Sequence, residues 1–383
     1  MILLSVTSDL EAIEQEWRRF EERAECTPFQ TFDWLSAWQR CIGQPIGVKP
    51  AIITGRQANG EPLFILPLAI ERARFGRRCV FLGHTLCDYN APLLAPEFPT
   101  VIRPTDFGDW WHVVETFIRK TPGYGYEVRL FDKMPERIGQ QANPMLALAT
   151  LNSSRAYGVR LGDDWESFYA LKRSSLTRSR DRTKHRRLAD NGELRVTTLH
   201  NPQERQSALK SLFSQKSRSF ARHGVSNLFE QPGHSDFYLS VAAKANGLIH
   251  ISQLQVGSKC VAANLGLQFH ARYYHILSSY DDGPLKRFGP GVIHLHELMR
   301  YAISQRFKYF DFTIGDHPYK LEWADEEVKL YDHIAPAGWL GLLAAAQITL
   351  TARVKRILKK SPLFWRLATH CKSVVTSPRR FHA

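Results

Sequence analysis

A strand, a glycine-rich loop, a strongly amphipathic helix and a second strand follow one another over residues 273–314. The helix is predicted over residues 292–305, where apolar side chains recur at the i, i+3, i+4, i+7 and i+8 spacing of a core-facing stripe. That stripe consists of Leu295, Leu298, Met299, Ala302 and Ile303. A helix between two strands acts as a crossover, which is the unit from which sheets with parallel strands are built. The segment therefore predicts an α/β architecture.

The first half of the chain shows the same order of elements. Its predicted elements are helices at 10–23 and 31–41, strands at 51–54, 63–70 and 79–82, a helix at 110–120 and a strand at 127–131. Asn59-Gly60, between the first two strands, is a strong hairpin signal because both residues tolerate the backbone that a tight turn needs.

The second half repeats this series. Its predicted elements are helices at 165–191 and 202–219, strands at 248–256, 261–269 and 273–280, the amphipathic helix, and a strand at 309–314. A chain of 383 residues is long for one domain. We therefore expect two α/β domains of one topology, residues 1–150 and 151–336, followed by a basic helical tail, residues 337–383.

The net charge of +14 is concentrated in two segments. Residues 172–190 carry eight Lys or Arg and two Asp, and residues 353–383 carry nine Lys or Arg and no acid. The rest of the chain is close to neutral, so a nucleic-acid-binding surface over the whole protein is not expected. The first segment is either a phosphate-attracting helix or a plain surface helix. The tail has an apolar stripe beside its basic residues, which favours an anionic membrane surface or docking onto the protein's own core.

Nothing at the N-terminus marks the chain for export, and no apolar stretch reaches the length of a membrane span. The six cysteines include no C-x-x-C pair, which is typical of free thiols in a reducing compartment. We expect a cytoplasmic protein, with the tail as a potential peripheral contact to the inner membrane.

The loop before the amphipathic helix is the strongest candidate for a binding site. Gly289 and Gly291 let backbone approach a phosphate closely, and the first N–H groups of the helix have no partner within it. The helix dipole also favours an anion there, and Lys286 or Arg287 would complete a cradle for a diphosphate. The alternative is an ordinary tight turn into a helix.

This segment resembles the GNAT acyltransferases, whose strand–loop–helix unit binds the coenzyme A diphosphate through a Gln/Arg-x-x-Gly-x-Gly pattern. Lys286, Gly289 and Gly291 match its spacing, with Lys in place of Gln or Arg and with Pro290 removing one N–H donor. Further motifs are similar to the GNAT-like acetyltransferases of the cellulose-biosynthesis type, which are related to the FemAB transferases with two tandem GNAT folds. These motifs are residues 28–35, 66–68, 81–83, 88–89, 279–281, 289–291, 311–316 and 319–320.

The resemblance and the residue pattern together suggest further site residues. Strand alternation places Asp311 on one face with Tyr309 and Thr313, and an acid in so apolar a strand needs a partner or a task. Asp316 lies just beyond the end of that strand, where α/β folds gather ligands, so it is a candidate general base; an Asx turn is its alternative.

Four other residues are further candidates for the site. Tyr319 would donate a proton to the departing thiolate, as a tyrosine does in many GNAT relatives. Lys320 would hold a phosphate or an acidic acceptor, and Asp88 with Tyr89 resembles an Asp-Tyr pair of the family that would line the acceptor cleft. Core packing, a surface charge and a turn cap are the respective alternatives.

The resulting hypothesis is an enzyme that transfers an acyl group from acetyl-CoA or another acyl-CoA to a sugar or lipid-linked acceptor in exopolysaccharide or envelope synthesis. Two alternatives stay open: an aminoacyl-tRNA-dependent transferase of the FemAB type, and a non-catalytic scaffold of a polysaccharide synthase. No metal is expected, because His294-x-His296 lacks a supporting zinc motif. P-loop, dinucleotide-binding and hydrolase motifs do not occur in the sequence.

Overall fold

The computed structural model describes residues 2–244 and 247–360. Its first half contains the following elements: β1 (Leu3–Thr7), α1 (Leu10–Arg23), α2 (Phe32–Trp38), β2 (Lys49–Arg56), β3 (Pro62–Ala73), β4 (Gly76–Phe81), β5 (Leu93–Leu94), α3 (Phe98–Val101), α4 (Phe107–Lys120), β6 (Val128–Pro135), β7 (Arg137–Ile138) and β8 (Gln141–Ala142). Gly60 forms the predicted β2–β3 turn with φ +87°.

The second half continues with these elements: β9 (Thr150–Arg160), α5 (Trp165–Lys172), α6 (Ser175–Ala189), β10 (Leu194–Thr198), α7 (Pro202–His223), α8 (His234–Ala242), β11 (Ile249–Val256), β12 (Lys259–Phe269), β13 (Arg272–Tyr280), α9 (Pro290–Ser304), β14 (Tyr309–Ile314), α10 (Pro318–Leu321), β15 (Glu326–Pro336) and α11 (Trp339–Lys360). The predicted stripe of α9 is buried along its whole length, as its periodicity requires.

Each half has an antiparallel meander followed by a crossover helix and a parallel strand, which confirms the predicted α/β fold class. In the first half β4 pairs in parallel with β6, and α4 connects them. In the second half β13 pairs in parallel with β14, and α9 connects them.

The two halves share one sheet of 13 strands. Its order is β1-β2-β3-β4-β6-β15-β9-β14-β13-β12-β11-β10, with β5 beside β3. The strand β15, late in the chain, lies between β6 and β9, so it joins the first half to the second. The boundary at residue 150 stays a prediction; β9 begins there, and β15 ends at Pro336.

One predicted helix is wrong in its extent. Residues 165–191 form two helices, because the chain is extended at Arg173 and Ser174. The Ser174 side chain accepts a hydrogen bond from the N–H of Thr177 and begins α6 as its N-cap.

The beginning of the tail packs against the protein. Helix α11 contacts β15 and β6, and Gly341 lies so close to the carbonyl of Glu127 that a Cβ would clash there. Trp339, Leu342, Leu343 and Leu350 nevertheless stay exposed. Within residues 2–244 and 247–360, helices that combine the length and the apolar character of a membrane span do not occur. The aromatic pair Phe364 and Trp365 lies outside the described residues.

Candidate functional site

Strands β13 and β14 separate after a short parallel contact. They pair only from Arg272 to Tyr274 on β13 and from Tyr309 to Asp311 on β14. Each strand then contains an extra residue relative to its other neighbour, Ile276 opposite β12 and Phe312 opposite β9. Such bulges bend a strand away from its partner. The carboxyl ends of the two central strands therefore diverge and leave an opening in the sheet.

This opening continues into a cleft of about 280 Å³ at the start of α9. We call it the α9 cleft. Its lining residues come from the end of β13, from the loop and first turns of α9, and from α10: His275, Ser278, Ser279, Tyr280, Lys286, Gly289, Pro290, Gly291, Val292, His294, Leu295, Leu298 and Tyr319.

Glycine is required at positions 289 and 291 of the predicted cradle for two different structural reasons. Gly289 has φ +67°, a left-handed conformation that favours glycine. A Cβ on Gly291 would lie 2.9 Å from the ring of Tyr280, so the close approach of helix and strand requires its small size. Val292 and Ile293 both donate to the carbonyl of Gly289. Pro290 has no N–H to donate. The backbone N–H of Gly291 has no hydrogen-bond partner among the described residues, so it is available to a ligand.

The structure distinguishes the two basic residues of the loop. Lys286 lines the α9 cleft. The guanidinium of Arg287 lies over the ring of Phe288, 4.8 Å from its centroid. Lys286 is therefore the better placed of the two to reach an anion at the start of α9.

Tyr319 lines the same cleft from α10. Its ring packs edge-on against His275 and Phe312, and burial raises the pKa of its hydroxyl to about 12. In the described part of the chain this hydroxyl makes no hydrogen bond. It is thus a protonated donor that is free to serve a ligand.

Asp316 lies beyond the end of β14 and is exposed. The hydroxyl of Tyr157 donates to its Oδ1 over 2.9 Å. The carboxylate therefore binds a neighbouring strand rather than capping the turn that follows it, and it stays accessible to solvent.

Asp311 is buried where the two halves of the chain meet. It is 2% exposed, and its Oδ1 accepts hydrogen bonds from the Tyr89 hydroxyl and from the N–H of Thr313, each 2.8 Å long. Burial raises the pKa of Asp311 to about 6, and the bond from Tyr89 opposes that shift. Asp311 and Tyr89 thus form a buried link between β14 and the first half.

Asp88 and Lys320 lie beside this link. Burial raises the pKa of the Asp88 carboxyl, and the charge of Lys133 is the first of several groups that oppose this shift. The Lys320 ammonium is buried and donates to the carbonyl oxygens of Thr313 (3.2 Å) and Ile314 (2.7 Å). Burial lowers the pKa of Lys320 to about 8, although Asp88 and Asp311 oppose this. The structure thus gathers Asp88, Tyr89, Asp311 and Lys320 around the end of β14.

Two histidines line the α9 cleft: the sequence analysis did not single out His275, and it considered His294 only as a metal ligand. Burial lowers the pKa of both His275 and His294 to about 3, so both are neutral. His294 shares a 2.9 Å hydrogen bond with the Ser252 hydroxyl. Alternation along β13 was the available signal for His275, since it lies in a strand next to the loop.

Comparisons with known proteins agree with this geometry. Residues 175–321 match the family model described as an acetyltransferase (GNAT) domain. These residues include β13, the glycine loop, α9, β14 and Tyr319. A comparison with curated proteins gives no match.

Several solved structures share the fold. The chain is similar to FemX, with a TM-score of 0.60 at 10% identity over 88% of this chain and 97% of that one. It is also similar to a conserved protein of unknown function from Bacteroides thetaiotaomicron, with a TM-score of 0.53 at 12% identity over 86% and 99%. A third similar structure is the C-terminal domain of a putative lysylphosphatidylglycerol synthetase from Agrobacterium fabrum. Its TM-score is 0.51 at 13% identity, over 89% of this chain and 95% of that one. At such identities the likeness shows the fold alone.

Proposed function

We propose that this protein, an acyltransferase with a GNAT domain, takes an acyl group from acetyl-CoA or another acyl-CoA and transfers it to an amine or hydroxyl of an envelope or exopolysaccharide precursor. The observation that carries the proposal is the α9 cleft, where diverging strands meet a glycine corner at a helix start. An extended thioester would insert between the strands while its diphosphate lies at the corner.

The residues at the corner fit a diphosphate. The N–H of Gly291 has no partner in the part of the chain that the structure describes, neither Gly289 nor Gly291 has a side chain, and Lys286 supplies a positive charge. The dipole of the 15-residue helix α9 adds to this attraction. Arg287 was an equal candidate on sequence alone, and we now assign the contact to Lys286.

The remaining polar groups suggest how the transfer proceeds. As the acceptor attacks the thioester carbon, a base removes the proton of its N–H or O–H, and Asp316 is our candidate for this role. A bond forms from the acceptor to the acyl carbon, and the carbon–sulfur bond breaks. The leaving sulfur takes its proton from the Tyr319 hydroxyl, whose raised pKa keeps it protonated at neutral pH.

We assign Lys320 and the Asp311–Tyr89 pair roles that differ from the ligand contacts expected from the sequence. The Lys320 ammonium binds main-chain carbonyls instead of facing an open surface, and Asp311 is enclosed. We propose that both hold the end of β14 in position against the first half, with Asp88 as their neighbour. In this proposal Asp311, Asp88, Tyr89 and Lys320 shape the site without touching the reacting atoms.

The acceptor class and the cellular setting rest on the resemblance to acetyltransferases of the cellulose-biosynthesis type. A sugar or lipid-linked acceptor would suit an enzyme that stays cytoplasmic and touches the inner membrane through its tail. The exposed apolar residues of α11 and the nine basic residues of 353–383 support this placement.

Aminoacyl transfer from tRNA is a second candidate. The observation that favours it is the row of exposed basic side chains on α6, among them Arg180, Arg186 and Arg187, which would attract a phosphate backbone. Aromatic residues for base stacking do not interleave with them in the sequence.

Calorimetric titration with acetyl-CoA and with coenzyme A tests the first proposal. We expect Lys286→Ala to weaken binding of both about tenfold, and Gly291→Val to abolish it because the added side chain meets Tyr280 and fills the corner. Arg287→Ala is the matched control: it removes the same charge one residue away and is expected to change affinity less than twofold. Equal losses in the two charge variants would contradict the assignment. Saturable tRNA binding without any response to coenzyme A would favour the second candidate.

A further inference from the structure

A second cavity, of about 370 Å³, lies between α5, α6 and α9. We call it the α6 pocket. The α9 residues that line it are Ile293, His296, Glu297 and Arg300, whereas His294, Leu295 and Leu298 line the α9 cleft. At about 100° per residue these two sets point to opposite sides of the helix. The α6 pocket is therefore separate from the proposed acyl-transfer site.

Helix α6 contributes a row of cationic or neutral donors to this pocket. Arg178, Arg182 and His185 follow the i, i+4, i+7 spacing and line one wall. Among the residues that the structure describes, none of these three side chains has a hydrogen bond or an ion pair. Arg178 is half-buried, and its Nε is enclosed without a partner. An enclosed guanidinium N–H without an acceptor is costly, so an acceptor from outside the chain is expected.

Helix α9, which faces α6, contributes a buried histidine to the same pocket. His296 lines the pocket from α9 and is only 9% exposed, and its Nε2 has no hydrogen-bond partner among residues 2–244 and 247–360. Burial lowers the pKa of His296 to about 4. Its ring lies among Trp165, Tyr169 and Trp323, with centroids 5.3 to 5.9 Å away. These rings form a rigid wall behind the polar groups.

The acidic groups of the pocket already have partners. Glu297 binds Arg300 at 3.0 Å, and Glu166 lies 3.8 Å from the same guanidinium. Asp181 accepts a hydrogen bond of 2.7 Å from the Tyr169 hydroxyl. The carboxylates are thus engaged, while the α6 donors are not.

We infer that the α6 pocket binds the terminal phosphate of a small molecule, between Arg178, Arg182 and His185. Two guanidiniums one helical turn apart match the charge and the several acceptor oxygens of a phosphate dianion. The half-buried Arg178 favours a phosphate that enters the pocket over one that stays on a polymer backbone, which would contact the exposed Arg180 and Arg186 equally. This inference rests on the pocket alone and is independent of the acyl donor.

Calorimetric titration of the full chain with inorganic phosphate and with glycerol 3-phosphate tests the inference. We expect saturable binding, a loss of affinity of at least tenfold in the double variant Arg178→Ala/Arg182→Ala, and a change of less than twofold in Arg180→Ala/Arg186→Ala. The two double variants remove the same charge from the same helix. The tighter of the two probes identifies the source as free phosphate or a phosphate monoester.

Equal losses in both double variants would reduce the effect to surface charge and overturn the inference. A loss in Lys286→Ala with none in Arg178→Ala/Arg182→Ala would place the phosphate at the start of α9 and overturn it as well. If the double variant unfolds, Arg182→Ala alone, at an exposed position, serves with ³¹P line broadening of glycerol 3-phosphate as the readout. Retention of full broadening in that variant would also contradict the site.

Discussion

Replacing Asp311 with Asn should change how stability depends on pH. The pKa of the buried Asp311 carboxyl is about 6 in the folded protein, against 3.8 ordinarily. Each pKa unit corresponds to about 1.4 kcal/mol, so ionising this group costs the folded state about 3 kcal/mol at pH 7. Because the folded-state pKa is raised, the folded protein holds the proton more tightly, and stability falls as pH rises from about 4 to 6.

An amide at position 311 does not ionise, so the variant does not lose stability in this way as pH rises. The Asn oxygen keeps the acceptor for the Tyr89 hydroxyl and for the N–H of Thr313. The free energy of unfolding of Asp311→Asn relative to the natural chain should therefore increase by about 1.5 kcal/mol between pH 5 and pH 8. Urea unfolding at pH 5.0, 6.5 and 8.0 measures this difference.

Asp163→Asn is the control for this experiment. That side chain is 95% exposed and pairs with Lys308 on the surface. Its replacement should therefore change the free energy of unfolding relative to the natural chain by only a few tenths of a kcal/mol between pH 5 and pH 8. A constant difference between Asp311→Asn and the natural chain over this pH range would refute the buried, ionised state of Asp311.

Three further predictions concern the site and the tail. Tyr319→Phe should lower kcat for acetyl transfer about 10²-fold with little change in the donor's KM, because only the proton donor is lost; steady-state kinetics would contradict the role if kcat were unchanged. Lys320→Met should lower the free energy of unfolding by about 1–3 kcal/mol at pH 7, since the carbonyls of Thr313 and Ile314 lose their donor; an unchanged urea midpoint would refute the link. Removal of residues 353–383 should abolish sedimentation with vesicles containing phosphatidylglycerol and leave coenzyme A binding intact, and undiminished sedimentation would exclude the tail as the contact.

The order of elements could be read from the sequence because periodicity is local. The stripe of α9 and the Asn59-Gly60 turn each follow from residues within a few positions of one another. Strand β15 shows the limit of this reasoning. It carries no short-range signal for pairing with β6, more than 190 positions earlier in the chain, and its place in the middle of the sheet depends on contacts between the halves.

The candidate site also combines features that follow from local sequence with features that depend on long-range contacts. The glycine corner was predictable because its geometry depends on Gly289 and Gly291 themselves. The face of Asp311 was only partly predictable, because the bulge at Phe312 interrupts the alternation of β14 and Thr313 has a φ of +58°. The hydrogen bond from Tyr89 to Asp311 joins residues 222 positions apart, which no local pattern contains. The burial of Lys320 also depends on the packed structure and has no signal in its sequence neighbours.

A crystal structure of the chain with coenzyme A at saturating concentration tests the central claim most directly. We predict the diphosphate within hydrogen-bonding distance of the Gly291 N–H and the Lys286 ammonium, with the pantetheine arm running between β13 and β14 toward Tyr319. Ordered coenzyme A elsewhere on the protein, with the corner at Gly289–Gly291 free of ligand, would contradict it.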